Sequence, residues 1–352
     1  MSFESPKSPL TQSGEVELEV TDRLQESRNV VSIRLKPTGD AAITPFCAGQ
    51  HLVLKTGAAG RSVSTYTISS APGDAQGYRI SVKLEAAGQG GSRFFHETAT
   101  PGTRIRATRP RGSFTLAEDA RPVILLTGGI GITPAIAMLH VLSAEKSRPV
   151  YFIHACNDRE EHSFAEEVAT LAARHDGIRV FTAYTNGTYA DLADHRCDHL
   201  GLIDRDVLRK LISLDHYRVY LCGPVPFMDA MRRALRSLGI QDADIQQESF
   251  GASIPVAIPA DAPKNHQGAG TQVAFARSGL DAEWVAGESL LDLAERNGLT
   301  PEFSCRAGIC GTCQCGLLSG EIEYDEDPLD PPPAGTILLC CARPKGPVAL
   351  DL

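Results

Sequence analysis

Six of the ten cysteines in this 352-residue chain lie between Cys305 and Cys341, in the segments SCRAGICGTCQCG and LLCCARP. A framework of disulfide bonds would distribute its cysteines along the chain, and such frameworks are typical of secreted proteins. Thiolates are also the ligands that soft transition metals prefer. Six cysteines crowded into one short region therefore predict metal binding.

The spacing of these cysteines favours a [2Fe–2S] cluster. Cys305, Cys310 and Cys313 follow the pattern C-x4-C-x2-C, and Cys340 follows 27 positions later as the predicted fourth ligand. Glycines within the first segment would let the backbone fold around the inorganic sulfides and donate N–H groups to them. A structural zinc site is the main alternative, but zinc sites usually contain paired Cys-x2-Cys units.

Two neighbouring cysteines make the choice of ligands ambiguous. Cys315 forms a Cys-x-Cys pair with Cys313, and Cys341 adjoins Cys340. The frame C-x-x-x-P that ends at Pro344 favours Cys340, because it resembles the frame around the last ligand of plant-type ferredoxins.

The last 82 residues resemble a plant-type ferredoxin module, a β-grasp fold, and the segment GESLLDLAERNGL before the cysteines also fits that family. The net charge of the chain is −9, and 13 acidic but only 5 basic residues lie from Thr271 onward. This balance argues against nucleic acid as a partner. The acidic module could attract a basic docking surface, or its charges could serve solubility alone.

A second set of motifs lies in the first third of the chain, in the order STYTISS, YRISVKLE, GGSRFFHE and RPRGSF. Tyr66 could place its ring against an isoalloxazine, and Thr67 could bond the N5 edge of that ring system. Gly90, Gly91 and Ser92 precede a short helical segment whose backbone N–H groups suit a phosphate. Each motif is weak alone, since a lone tyrosine usually belongs to a core.

A third set of motifs predicts a dinucleotide site. The segment LLTGGIGITP places Gly128, Gly129 and Gly131 between a buried strand and a helix, where the backbone can approach a pyrophosphate. Pro134 suits the first turn of that helix. The spacing differs from the G-x-G-x-x-G of common dehydrogenases. A second strand end, in YLCGPVPFM, adds three candidates: Cys222, Gly223 and Pro224.

The order of these motifs resembles the ferredoxin–NADP reductase superfamily, and most closely the reductase part of the flavohaemoglobins. The segments APGDAQGYRISVK, CGPVPFMDAM and QESFG carry the resemblance. It implies that the first domain binds FAD; the FMN of phthalate-dioxygenase-type reductases stays open as the alternative. It also places Thr133 and Cys222 near the nicotinamide, Phe250 over the flavin face and Glu248 at the polar edge of the pocket.

Thr67, Cys222 and Glu248 are therefore the predicted catalytic residues, with Cys222 beside the nicotinamide rather than acting as a nucleophile. One departure concerns the flavin phosphate. The family has an arginine two residues before the tyrosine, where this chain has Ser64. Arg61 is the candidate to replace it.

The choice between NADH and NADPH depends on the segment CNDREEHSF, which follows the strand PVYFIHA. Arg159 could meet a 2′-phosphate. Glu160 and Glu161 beside it would repel one, so the sequence favours NADH and leaves NADPH as the alternative.

Hydrophobic periodicity predicts the elements that must position these residues. Six short alternating runs predict antiparallel β structure, a small barrel or sandwich, over residues 15–117, after a flexible tail at 1–14. The family resemblance implies that this domain is a Greek-key flavin barrel. Strands alternating with helices predict a Rossmann-like parallel α/β domain over 118–250. An Ala-, Pro- and Gly-rich linker at 251–270 leads to the ferredoxin module at 271–352.

The three modules together predict electron transfer from NAD(P)H through FAD to the [2Fe–2S] cluster, because nicotinamide gives up two electrons and the cluster accepts one. The residues before Glu15 are too few for a globin, so the expected acceptor is a separate oxygenase, haem protein or other metalloprotein. A redox sensor is the alternative. No apolar run is long enough for a membrane span, and no secretory signal is visible, which predicts a cytoplasmic protein.

Overall fold

The computed structural model describes residues 15–39, 41–56, 62–85, 91–145, 148–213, 215–248, 271–303, 308, 311, 313–324, 327–328 and 331–352. Five predicted site residues lie outside these ranges: Arg61, Gly90, Phe250, Cys305 and Cys310. The predicted tail and the predicted linker also lie outside them. Within the described ranges, no helix has the length and apolar character needed to cross a membrane.

The first domain is an antiparallel sheet that closes on itself. Its elements are β1 (Val16–Ser27), β2 (Val30–Pro37), β3 (His51–Thr56), β4 (Ser62–Thr67), β5 (Tyr78–Lys83), α1 (Gly91–Glu97) and β6 (Arg104–Ala107). The strand order is β4-β3-β6-β1-β2-β5, and a bridge between Ile68 and Ile80 joins the two outer strands. Inward-facing residues such as Leu18, Ile33 and Leu54 fill its core. The predicted antiparallel flavin domain is confirmed.

The second domain is a parallel sheet with helices on both faces. Its elements are β7 (Val123–Gly128), α2 (Ile132–Glu145), β8 (Val150–Cys156), α3 (Ala165–Ala172), β9 (Ile178–Tyr184), α4 (Tyr189–Ala193), β10 (His199–Leu200), α5 (Arg205–Leu211), β11 (Arg218–Cys222), α6 (Val225–Ser237) and β12 (Ile245–Glu248). The strand order is β10-β9-β8-β7-β11-β12. This confirms the predicted Rossmann-like domain, while α4, β10 and β12 were not predicted.

The core on one face of the parallel sheet continues into the barrel. Ala48 and Phe114, from barrel loops, pack in one cluster with Ile132 and Met138 of α2. The Phe114 ring also lies edge-on to Tyr220, with ring centroids 5.7 Å apart. This shared apolar packing seats the first helix of the parallel domain against the barrel.

The described residues of the third domain form a mixed sheet and one helix, as in a β-grasp fold. Its elements are β13 (Thr271–Phe275), β14 (Leu280–Trp284), α7 (Leu290–Arg296), β15 (Gln314–Ser319), β16 (Ile322–Tyr324), β17 (Thr336–Leu338), β18 (Ala342–Pro344) and β19 (Val348–Leu350). The larger sheet has the order β14-β13-β19-β15-β17. Ser289 and Asp292 form a capping box that starts α7.

Candidate active site

The carboxyl ends of three neighbouring parallel strands bring two predicted catalytic residues together. Cys222 at the end of β11 pairs in register with Thr127 of β7 and with Glu248 of β12. Residues paired in register share one face of a sheet. Across the domain boundary, Thr67 at the end of β4 donates its hydroxyl to Glu248 Oε2 over 3.5 Å. The barrel and the parallel domain thus meet at Thr67 and Glu248.

Burial keeps both ionisable groups at this meeting point neutral. Burial raises the pKa of Glu248 to about 8, although the hydrogen bond from Thr67 opposes the rise. Burial also raises the pKa of Cys222 well above its ordinary value, and the neighbouring Glu248 adds to this rise. At neutral pH Cys222 is a thiol rather than a thiolate, which fits a residue that is not a nucleophile.

A third polar group extends this row of residues along the sheet. Thr127 Oγ1 lies 2.8 Å from Nδ1 of His154, the residue that pairs with Thr127 on β8. Burial lowers the pKa of His154 well below its ordinary value, so the imidazole is neutral. The floor of the crevice is therefore polar but uncharged.

Three glycines allow the strand ends to approach one another closely. A Cβ atom on Gly131 would lie 2.3 Å from the carbonyl oxygen of Cys222. A Cβ on Gly223 would lie 3.0 Å from the backbone nitrogen of Gly128, and a Cβ on Gly128 would lie 3.0 Å from the ring of Phe227. Side chains at these positions would collide with the neighbouring chain and push apart the strand ends that border the predicted pyrophosphate crevice.

The turn that enters α2 lies beside this crevice. Gly129 has a φ of 52°, a left-handed conformation that favours glycine. The Thr133 hydroxyl donates to the carbonyl oxygen of Ile130 over 3.0 Å and so fixes the turn. Pro134 lies in the first turn of α2, where its missing N–H costs nothing. The helix start directs its partial positive charge towards the crevice, which suits a pyrophosphate.

The flavin side of the site has a cradle of its own. Ser64 shares a hydrogen bond with the Tyr66 hydroxyl, and burial raises the pKa of Tyr66 to about 12. A Cβ atom on Gly91 would lie 2.1 Å from Ser64 Oγ and 3.5 Å from the Tyr66 hydroxyl. The Ser92 hydroxyl accepts a hydrogen bond from a backbone N–H of the preceding loop. The close approach of α1 to Ser64 and Tyr66 thus depends on glycine at position 91. Ser64, Tyr66 and Ser92 together form a surface that fits a flavin.

The described part of the cysteine cluster brings Cys340 next to Cys313. The Cys340 thiol shares hydrogen bonds with Cys313 and Cys341 and accepts the N–H of Gly308 over 3.3 Å. The Cys341 thiol also donates to the carbonyl oxygen of Leu338. Thiol sulfurs facing each other beside a backbone N–H fit two ligands of a [2Fe–2S] cluster. The other two predicted ligands lie outside the described residues.

Comparison with known proteins gives three consecutive domain matches. Residues 17–116 match the oxidoreductase FAD-binding domain, residues 125–233 the oxidoreductase NAD-binding domain, and residues 274–345 the 2Fe-2S iron-sulfur cluster binding domain. The flavohemoprotein of Bordetella pertussis is 35% identical over 239 residues, which are 66% of this chain and 60% of that protein. The chain thus spans only about 60% of the length of such relatives.

Two solved structures extend the likeness. The flavohem-like FAD/NAD binding domain of nitric oxide dioxygenase from Vibrio cholerae is 31% identical with a TM-score of 0.60, and the match covers 67% of this chain and 99% of that one. The chain belongs to the ferredoxin–NADP reductase superfamily. Phthalate dioxygenase reductase, a modular structure for electron transfer from pyridine nucleotides to [2Fe–2S], is 26% identical with a TM-score of 0.60 over 97% of this chain and 98% of that one.

This membership confirms the predicted cofactors. The chain contains an FAD-binding domain, an NAD-binding domain and a [2Fe–2S] cluster binding domain. The individual site residues remain predictions, although the structure brings Thr67, Cys222 and Glu248 to one place.

Sequence reasoning missed an ion-pair cluster at the domain boundary. Arg28, at the turn between β1 and β2, binds Asp158 over 3.3 Å and Glu161 over 2.9 Å, and it also pairs with Glu160. Glu160 and Glu161, the acidic residues expected to repel a 2′-phosphate, are thus paired with an arginine of the barrel. A lone arginine in the turn ESRNV gives no signal of such a contact.

The structure also shows how the cluster domain meets the barrel. Nη2 of Arg111, in the barrel segment RPRGSF, donates to the carbonyl oxygen of Asp327 over 3.2 Å. No local sequence pattern marks this contact, because it joins residues that are 216 positions apart.

Proposed function

We propose that this reductase passes electrons from NADH through FAD and its [2Fe–2S] cluster to a separate acceptor protein, either an oxygenase component or a haem or other metalloprotein. The observation that carries the proposal is the contact of Thr67 with Glu248. This contact joins the end of β12, beside the dinucleotide crevice, to β4, the strand that carries Tyr66 and Thr67. The barrel also contacts the cluster domain at Arg111, so the flavin domain lies between electron donor and outlet.

A bound FAD would supply the chemistry that couples the two-electron hydride of nicotinamide to a cluster that takes one electron at a time. The chain contributes position and electrostatics. The glycine-lined crevice would hold the dinucleotide, Tyr66 and Thr67 would orient the flavin edge, and the neutral thiol of Cys222 would lie on the nicotinamide side of the site. Glu248 is protonated at neutral pH, so no fixed negative charge opposes electron flow towards the flavin.

The proposed acceptor class rests on the whole-length likeness to phthalate dioxygenase reductase. That match covers the cluster domain as well as the two nucleotide-binding domains, whereas the flavohemoprotein match covers 66% of this chain. A low-potential plant-type cluster, about −400 mV, suits donation to such an acceptor.

The first prediction tests the electron path with a matched pair of cysteine variants. In Cys340→Ser, we expect loss of the reduced [2Fe–2S] EPR signal and of cytochrome c reduction by NADH. Ferricyanide reduction should largely persist, because the flavin reduces it directly. Cys341→Ser is the control and should keep both activities.

Two outcomes would contradict this path, and a third would change the flavin. If Cys340→Ser still reduces cytochrome c at the wild-type rate, the cluster is not the outlet. Wild-type protein loaded with flavin and iron that shows no turnover with any acceptor would indicate a redox sensor. Chromatography that identifies the released flavin as FMN would reassign the flavin.

A further inference from the structure

Arg79 is a charged side chain buried at the boundary between the flavin barrel and the nucleotide domain. It lies on β5 and is only 8% exposed. Its Nη1 and Nη2 atoms donate to the two carboxylate oxygens of Glu167, on α3, over 2.7 and 2.9 Å. Such a bidentate pair fixes orientation as well as distance. One guanidinium therefore joins a barrel strand to a helix of the other domain.

On the flavin side, Arg79 holds the chain that follows Thr67. Its Nη2 donates to the carbonyl oxygen of Ser69 over 2.6 Å, and its Nε donates to Ser69 Oγ over 3.2 Å. The backbone N–H of Ser69 in turn donates to the carbonyl oxygen of Arg79 over 2.7 Å. Ser69 is two residues beyond Thr67, so the side chain of Arg79 fixes the segment that presents Thr67 to Glu248.

On the nucleotide side, the contact reaches the helix that begins at the glycine turn. Nε2 of His140, on α2, lies 2.6 Å from Glu167 Oε1. Burial alone would raise the pKa of Glu167, but the hydrogen bonds from His140 and Arg79 outweigh it and lower the pKa to about 2. Glu167 is thus an anion that binds both Arg79 and His140. If α2 shifted along the barrel, the hydrogen bonds among these three residues would break.

The backbone beside this group is strained. Phe164, which precedes α3, has a φ of 61° without being glycine. Its ring is 3% exposed and lies under the guanidinium of Arg79, 4.9 Å from the ring centroid. Such strain persists only where the surroundings fix the residue. A cation–π contact across the domain boundary is one interaction that fixes it.

We propose that Arg79 is a positioning residue for hydride transfer: with Glu167 and His140 it sets the position of the α2 glycine turn relative to Thr67, and so the approach of nicotinamide to flavin. This proposal rests on hydride transfer from NADH to FAD and not on the acceptor. A misplacement of about 1 Å can cost about 100-fold in rate, so a small shift at this boundary would be measurable.

The test compares Arg79→Lys with a matched control. Lysine keeps the charge but cannot form the bidentate pair together with the bonds to Ser69. We expect flavin reduction by saturating NADH, followed by stopped-flow absorbance, to slow about tenfold or more. The dissociation constant of NAD⁺ should change less than threefold. Arg34→Lys is the control, since Arg34 pairs with Asp74 within the barrel over 2.7 Å, and it should leave the rate unchanged.

A second readout does not depend on turnover. Hydrogen–deuterium exchange in Arg79→Lys should become faster in residues 67–70 and in the first turn of α3, and should stay unchanged in the cluster domain. Glu167→Gln, which keeps the shape but loses the charge, should show the same pattern with a smaller loss of rate. It also provides the answer if Arg79→Lys does not fold.

Wild-type exchange and wild-type flavin reduction in Glu167→Gln would overturn the proposal, as would equal slowing in Arg79→Lys and Arg34→Lys. Failure of the proposed function gives a different result, because the wild-type protein itself would then not oxidise NADH. Hydrogen–deuterium exchange would still report on the boundary between the barrel and the nucleotide domain.

Discussion

Glu248 combines a position at the boundary of two domains with an unusual ionisation state. It lies beside Cys222 and accepts a hydrogen bond from the Thr67 hydroxyl. Burial raises its pKa to about 8 from an ordinary value of 4.5. A buried carboxyl with a raised pKa is typical of functional sites. The sequence indicated that these residues lie near one another, because Cys222 and Glu248 each belong to a recognisable motif. It could not indicate their protonation, which depends on packing.

The raised pKa predicts how stability depends on pH. Because the folded protein binds the Glu248 proton more tightly than the unfolded chain does, the free energy of unfolding should fall as the pH rises from about 4.5 through about 8, by at most about 1.4 kcal/mol per pH unit. Glu248→Gln should lack this loss. Urea denaturation followed by circular dichroism from pH 5 to 9 measures both proteins, and parallel curves would contradict the assignment.

Strands and helices were largely predictable from local patterns. The six alternating runs became β1 to β6, and the buried run PVILLTGG became β7, because period-2 and continuous apolar patterns reflect burial directly. The start of α3 was not predictable: the sequence pattern predicts a helix from Glu160, but residues 160–163 form a turn segment held by Arg28 of another domain. The bidentate pair of Arg79 was missed for the same reason, since no local pattern encodes a partner 88 positions away.

The close approach of two elements at Gly131 gives a prediction at this scale. In Gly131→Ala the new methyl group would lie 2.3 Å from the carbonyl oxygen of Cys222, so the turn or β11 must shift. Such overpacking costs about 1–3 kcal/mol, and we expect NAD⁺ affinity to fall about tenfold or more while FAD content stays normal. Calorimetry measures the affinity. Gly346→Ala is the control, because a Cβ there would meet no atom within 4 Å.

The whole molecule separates the site where electrons enter from the domain where they leave. Thr67 and Glu248 lie at the boundary of the first two domains, and Arg111 joins the barrel to the cluster domain at Asp327. The order of the domains was predictable from the sequence, because each carries its own motifs. Their contacts were not, because they depend on residues such as Arg111 that no motif marks.

Charge at this largest scale predicts the salt dependence of docking. The residues from Thr271 onward include 13 acidic and only 5 basic ones, so a basic acceptor should be attracted to the cluster domain. The Debye length falls from about 10 Å at 0.1 M salt to about 3 Å at 1 M, so reduction of cytochrome c, a basic protein, should slow as salt rises. Electron transfer from flavin to cluster, followed by stopped-flow absorbance, should change little, since it occurs between domains of one chain. If cytochrome c turnover at saturating NADH is the same at 0.02 and 0.5 M salt, the acidic surface serves solubility rather than docking.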